Sequence, residues 1–183
     1  MTPMTAAGFS RRDFLKAAGA VIVTFGWPTS LGAQGARDAS AGGLDAWLAV
    51  GADGAVTLFT GKVELGTGVA TALAQIVAEE LDVRVERVSV IQGDTERTPN
   101  QGYTVGSKTI QQGGPQIRQA AAEARRTLLG LAAARLNVAP EQLTVDDGVV
   151  GVRGDAGRRV SYAELIGGRR FESAVSKAAS AKR

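Results

Sequence analysis

Apolar positions along this chain fall into three patterns. Alternation marks strands: Trp47, Leu48 and Val50, then Val56, Leu58 and Thr60 beyond the turn residues Ala52-Asp53-Gly54, predict a hairpin, and residues 87–92 (RVSVIQ) predict a further strand. Helical spacing comes next. Val69, Leu73, Ile76, Val77 and Leu81 give one apolar face, and Ile117, Ala121, Ala124, Leu128 and Leu131 give another, on a helix from about Pro115 to Leu136. Thr71, Gln75 and Glu79 form a polar stripe on the first helix, and Arg118 and Arg125 are expected as solvent-facing charges on the second. Leu143 to Val145 and Val149 to Val152 flank Asp147-Gly148 as a second hairpin, and Ser161 suits the N-cap of a short helix through Leu165. The order β-β-α-β-α-β-β-α predicts an α+β layered domain, with two main helices packed on a small mixed sheet.

The third pattern is a solid apolar run, Ala17 to Trp27, behind Ser10-Arg11-Arg12-Asp13-Phe14-Leu15-Lys16 and ahead of small and turn-forming residues through Ala36. A charged start, a short apolar centre and a small-residue zone resemble a twin-arginine export signal. The run is short for a membrane span. The expected organisation is a signal over 1–36 with cleavage near Ala33 or Ala36, a linker over 37–43, a domain over 44–171 whose fold starts near Leu44, and a fraying tail over 172–183. Delivery to the periplasm is the expected outcome.

Composition narrows the chemistry. The 183 residues hold no cysteine and no histidine, so disulfides, thiolate nucleophiles, iron–sulfur ligation and the usual zinc sites are excluded from this polypeptide. The net charge is only +3, the basic residues are scattered and aromatics are scarce, so a nucleic-acid surface is not indicated. No residue stands out as a catalytic base or a metal ligand.

Two glycine-containing loops remain. Gly66-Thr67-Gly68 opens the first helix, and the long polar connection from Gly93 to Lys108 runs into Gly106-Ser107-Lys108-Thr109 before the second. If the fold brings both helix starts to one edge, their amides, with the hydroxyls of Thr67, Ser107 and Thr109, would hold an anion or a polar planar group. Each loop alone also reads as an ordinary turn, and Asp94 as an Asx-turn to its own backbone.

Taken in order, GKVELGTGVATALAQIVAEELDV, GDTERTPNQGYTVGSKTIQQGG and IRQAAAEARRTLLGLAAARLNV resemble the opening of the molybdopterin-binding large subunits of the xanthine dehydrogenase and aldehyde oxidase superfamily. The resemblance is strongest to the isoquinoline 1-oxidoreductase and periplasmic aldehyde dehydrogenase branch. It implies contacts from Gly66, Thr67, Gly68, Gly106, Ser107 and Thr109 to a molybdenum–molybdopterin cytosine dinucleotide. That family normally carries glutamine where this chain has Thr67. It also implies hydroxylation of aldehydes or N-heterocycles with water-derived oxygen, a small iron–sulfur subunit as partner, and a possible cytochrome electron acceptor. The family's large subunits are several times longer, and their general-base glutamate comes from a segment near the C-terminus. The chain is therefore expected to be a truncated portion, inactive alone and completed by the remainder of the large subunit. A stand-alone periplasmic module for a nucleotide-like anion or a partner, and a non-functional remnant, are the alternatives.

Overall fold

The structure, a computed structural model, describes residues 19–24, 46–174 and 179–182. Arg11 and Arg12, the zone around Ala33 and Ala36, the linker over 37–43 and much of the tail lie outside the described residues. Strands β1 (Ala20–Thr24), β2 (Ala46–Gly51), β3 (Val56–Thr60), β4 (Val88–Gln92) and, late in the chain, one at Arg170–Ala174 form a mixed sheet. Between them lie helices α1 (Val69–Leu81) and α2 (Gly114–Leu136), then β5 (Leu143–Asp146), β6 (Val149–Val152), β7 (Asp155–Ser161) and α3 (Tyr162–Ile166). The strand at Arg170–Ala174 is β8.

The sheet order is β4-β3-β2-β1-β8, antiparallel where β2 meets β3 and β1, and parallel where β4 meets β3 and β8 meets β1. Helix α2 packs on β1 and β2, and α1 packs on α2 and β4. The predicted apolar faces are the ones used: Leu73, Val77 and Leu81 of α1, and Ile117, Ala121, Ala124 and Leu128 of α2, are fully buried. Alanines at Ala120, Ala121 and Ala124 keep the α2 side of this contact thin, so the larger side chains opposite can fill it. The fold class is the expected α+β arrangement of two main helices on a mixed sheet.

A second sheet, β5-β6-β7, is antiparallel throughout and is joined to the core by α3. Ser161 caps α3: its hydroxyl accepts from the Glu164 N–H at 3.2 Å, and the Glu164 carboxylate accepts from the Ser161 N–H at 2.7 Å. The Tyr162 hydroxyl donates to the Leu81 carbonyl at 3.0 Å, and its burial pushes the phenol pKa up.

Three strands exceed the expected order. Strand β7 reads DAGRRVS, and only its Val160 is buried, so it carries no alternation to announce it. Strand β8 falls across the boundary of the expected tail, and beyond it Ala179 is buried while the Lys182 N–H meets the Glu80 carboxylate at 3.0 Å. Strand β1 is the largest difference. It lies inside the sheet well before Leu44, and Val21, Ile22 and Val23 are fully buried. A short run of β-branched residues suits a buried strand as well as it suits a leader, and periodicity does not separate the two.

Arg118 and Arg125 are not plain solvent charges. Arg118 pairs at 3.2 Å with Glu80, a carboxylate buried in the core, and Arg125 pairs at 3.3 Å with Asp82. Apolar periodicity shows which face of a helix turns inward but not which acidic residue a neighbouring helix places there. Thr71, Gln75 and Glu79 are exposed, as expected of a solvated stripe.

Candidate cofactor-binding groove

Parallel pairing of β3 with β4 delivers two loops to one sheet end: residues 61–68 leaving β3, and residues 93–108 leaving β4. Open-sheet ligand sites favour such carboxyl ends. The long loop is not loose. Asp94 folds its start, accepting from the Glu96 and Arg97 N–H groups at 3.0 and 2.9 Å, which is the expected Asx-turn. Its carboxyl is held below the usual range first by the Arg97 side chain.

Farther along, the loop is stitched to the segment after β3. The Gln101 side-chain oxygen accepts from the Thr60 hydroxyl at 2.6 Å and the Gly61 N–H at 2.8 Å. The Thr104 hydroxyl accepts from the Val63 N–H at 3.0 Å. Lys62, buried, donates its ammonium to the Tyr103 carbonyl at 2.7 Å. This seam sets residues 104–111 alongside the start of α1. Sequence reasoning missed Lys62, Gln101 and Thr104, because pairing across some forty residues leaves no local signal.

The result is a groove of about 480 Å³ lined by Leu65, Thr67, Val69 and Ala72 on one side and by Thr104 to Ser107 and Thr109 to Gln111 on the other. That volume suits a cofactor-sized guest. Thr67, Gly106, Ser107 and Thr109 are thus brought together, as the sequence suggested. Gly66 and Gly68 do not line the groove. They hold the turn in left-handed conformations, φ 82° and 73°, with open space where a Cβ would stand.

The two helix starts differ in what they still offer. At α1 the anion expected from outside is supplied by the chain itself: the Glu64 carboxylate accepts from the N–H groups of Gly68 at 3.0 Å and Ala70 at 2.9 Å, and also from that of Thr67. The Ala70 N–H, with those of Thr67, Gly68 and Gly66, holds the Glu64 carboxyl below its ordinary value against desolvation. An acidic residue just ahead of a helix is a recognisable N-terminal signal, and here it removes α1 as a free anion site.

The second start keeps its donors. Thr109 to Gly113 form a π-turn running into α2, Ser107 is left-handed at φ 59°, and among the described residues no hydrogen bond engages the N–H groups of Gly106, Ser107 and Thr109. The groove therefore offers amides and hydroxyls on its 106–109 wall and an apolar surface on the Leu65, Val69 and Ala72 wall.

A wider cleft of about 540 Å³ lies at the other end of α1, lined by residues such as Glu79, Asp82, Arg84 and Asp147. Several of its charges pair with one another, Arg84 with Asp147 at 2.9 Å and Asp82 with Arg125 and Lys182. Among the described residues no cluster of three acidic side chains could hold a metal ion, and no helix is long and apolar enough to cross a membrane.

Acidification should loosen the start of α1. Glu64 has a lowered folded-state pKa, so its stabilising effect is fully present above the unfolded value near 4.5 and is lost as pH falls through the folded one. Hydrogen exchange at the Ala70 amide, followed down the pH scale, should lose protection in that window relative to the middle of α1, and Glu64→Gln should abolish the dependence.

Known proteins resemble this chain in sequence and in fold. A family model described as "Molybdopterin cofactor-binding domain" matches residues 5–182. The chain is 50% identical over 129 residues to a subunit of the nicotinate dehydrogenase of Pseudomonas putida, covering 70% of this chain and 11% of that one. It is 36% identical over 169 residues to the beta subunit of isoquinoline 1-oxidoreductase from Brevundimonas diminuta, covering 86% and 22%. Among solved structures, quinoline 2-oxidoreductase from Pseudomonas putida 86 superposes with a TM-score of 0.58 at 30% identity, over 66% of this chain and 15% of that one. The chain thus spans between about a tenth and a quarter of the length of these relatives.

Proposed function

The chain belongs to the molybdopterin cofactor-binding family, and on that premise we propose that it forms one wall of the cofactor site in an exported molybdenum hydroxylase acting on aldehydes or N-heterocycles. The observation that supports this best is the 106–109 wall, where unengaged amides and hydroxyls face an apolar wall across a groove of cofactor size. These residues fit a polar, phosphate-bearing group such as molybdopterin cytosine dinucleotide. When bound, that group would supply Lewis-acid and two-electron chemistry with oxygen drawn from water.

The contribution of this chain is binding and orientation. Gly106, Ser107 and Thr109 would donate to the guest, and Leu65 and Val69 would exclude water from its flat face. Thr67 is partly committed, since its N–H and its hydroxyl both face Glu64. Among the described residues the groove lining includes no carboxylate to act as a general base, so turnover would need the remainder of a large subunit. Leu65, Val105 and Ile110, 64%, 49% and 40% exposed, form an apolar rim suited to that contact. A small iron–sulfur subunit, with a cytochrome beyond it, would accept the electrons. Periplasmic delivery by the twin-arginine route belongs to the same reading.

Titrating the purified chain with molybdopterin cytosine dinucleotide released from a purified hydroxylase should shift the amide resonances of Gly106, Ser107 and Thr109. Shifts confined to other regions would sink the reading. Thr67→Gln should tighten retention severalfold, since one added hydrogen bond is worth about 0.5–1.5 kcal/mol net. Equal binding by parent and variant would leave the turn with a structural role alone.

A further inference from the structure

Strand β1 and the apolar run of the leader are the same residues. Ala17 to Trp27 contains all of Ala20–Thr24, and that strand is hydrogen-bonded along both edges, antiparallel to β2 and parallel to β8. Val21, Ile22 and Val23 are fully buried. Its seat is shaped for it: a Cβ at Gly19 would lie 2.1 Å from the Gly168 carbonyl carbon and 2.3 Å from the Arg169 nitrogen, so glycine alone lets the chain enter the sheet at that point. Among the described residues, strand β8 pairs with β1 alone.

An export apparatus that recognises an apolar segment needs that segment out of the protein interior, and a strand paired on both edges is not available to it. We propose that β1 is the apolar centre of the export leader docked between β2 and β8, so that the folded chain withholds its own leader until β1 leaves the sheet. This inference rests on the twin-arginine reading of Arg11 and Arg12. Release of β1 would free β8 as well, so exposure of the leader is tied to the arrangement of the segment after Gly168.

The test follows delivery to the periplasm by pulse-chase, together with hydrogen exchange on the purified full chain. Arg11→Lys combined with Arg12→Lys should abolish delivery; undiminished delivery would remove the leader reading and the proposal with it. In the parent, the amides of Val21, Ile22 and Val23 should be protected, and exchange at the rate of an unstructured chain would overturn the docking itself. Gly19→Leu keeps the run apolar but denies the seat, so it should strip protection from those three amides, leave α1 and α2 protected, and speed delivery severalfold. Ala17→Leu adds similar apolarity to the run while leaving Gly19 unchanged, and should deliver at the parental rate. A parental rate for Gly19→Leu despite lost protection, or an equal gain from Ala17→Leu, would overturn the withholding while leaving the leader reading intact.

Discussion

Ile117→Ala should lower the stability of the chain by about 2–5 kcal/mol, among the larger losses available to one truncation. Ile117 sits on the buried face of α2 with no exposed surface, and α2 carries contacts to α1, β1 and β2 at once. Its alanine neighbours, Ala120, Ala121 and Ala124, have no side-chain length with which to fill the space left behind. Poor collapse puts the expected cost toward the upper part of that range. In a domain of this size each kilocalorie shifts the melting temperature by about 2–4 °C, so a fall of roughly 5–20 °C is expected. A calorimetric shift below about 2 °C would show that α2 does not carry the core as the structure has it.

Gly61→Val should open the groove without touching any residue that lines it. A Cβ at Gly61 would lie 2.2 Å from the Pro99 carbonyl oxygen and 3.2 Å from the Gln101 nitrogen, both backbone atoms that cannot rotate away. The 93–108 loop must then lift from the segment after β3, losing the Gln101 and Lys62 hydrogen bonds. Overpacking of this kind costs about 1–3 kcal/mol, which corresponds to a rise of roughly fivefold to a hundredfold in the open population of the loop. Trypsin cleavage after Arg97 or Lys108 should accelerate by that factor, while protection in α1 and α2 is kept. Unchanged cleavage would mean that the seam does not hold the loop.

These two positions illustrate what sequence reasoning can and cannot reach. Ile117 is legible, because a helix face is written in residues three and four apart, and its neighbours along the chain carry the signal. The first hairpin, both main helices and the Ser161 cap are legible for the same reason. Gly61 is not, since its importance comes from Pro99 and Gln101, which approach it only after β3 and β4 have paired. At the groove, Thr67, Gly106, Ser107 and Thr109 can be picked out by turn chemistry ahead of a helix, but their convergence depends on the parallel register of β3 and β4. The role of Glu64 is written locally and is easily missed: a carboxylate three residues before Thr67 competes for the very amides that make the turn look like an anion site.

The parallel pairing of β1 with β8 has a consequence for synthesis. Ala20 lies opposite Arg170, so one edge of an interior strand stays open until almost the whole described chain has been translated. At about 5–20 residues per second, that interval is roughly eight to thirty seconds. During it the nascent chain carries an uncovered, β-branched, uncharged edge at the ribosome surface, where neighbouring chains on one messenger can pair with it. Slower translation of the second half would lengthen this exposure, so the codons after α2 bear on aggregation of the product even though they leave every residue of the finished protein unchanged.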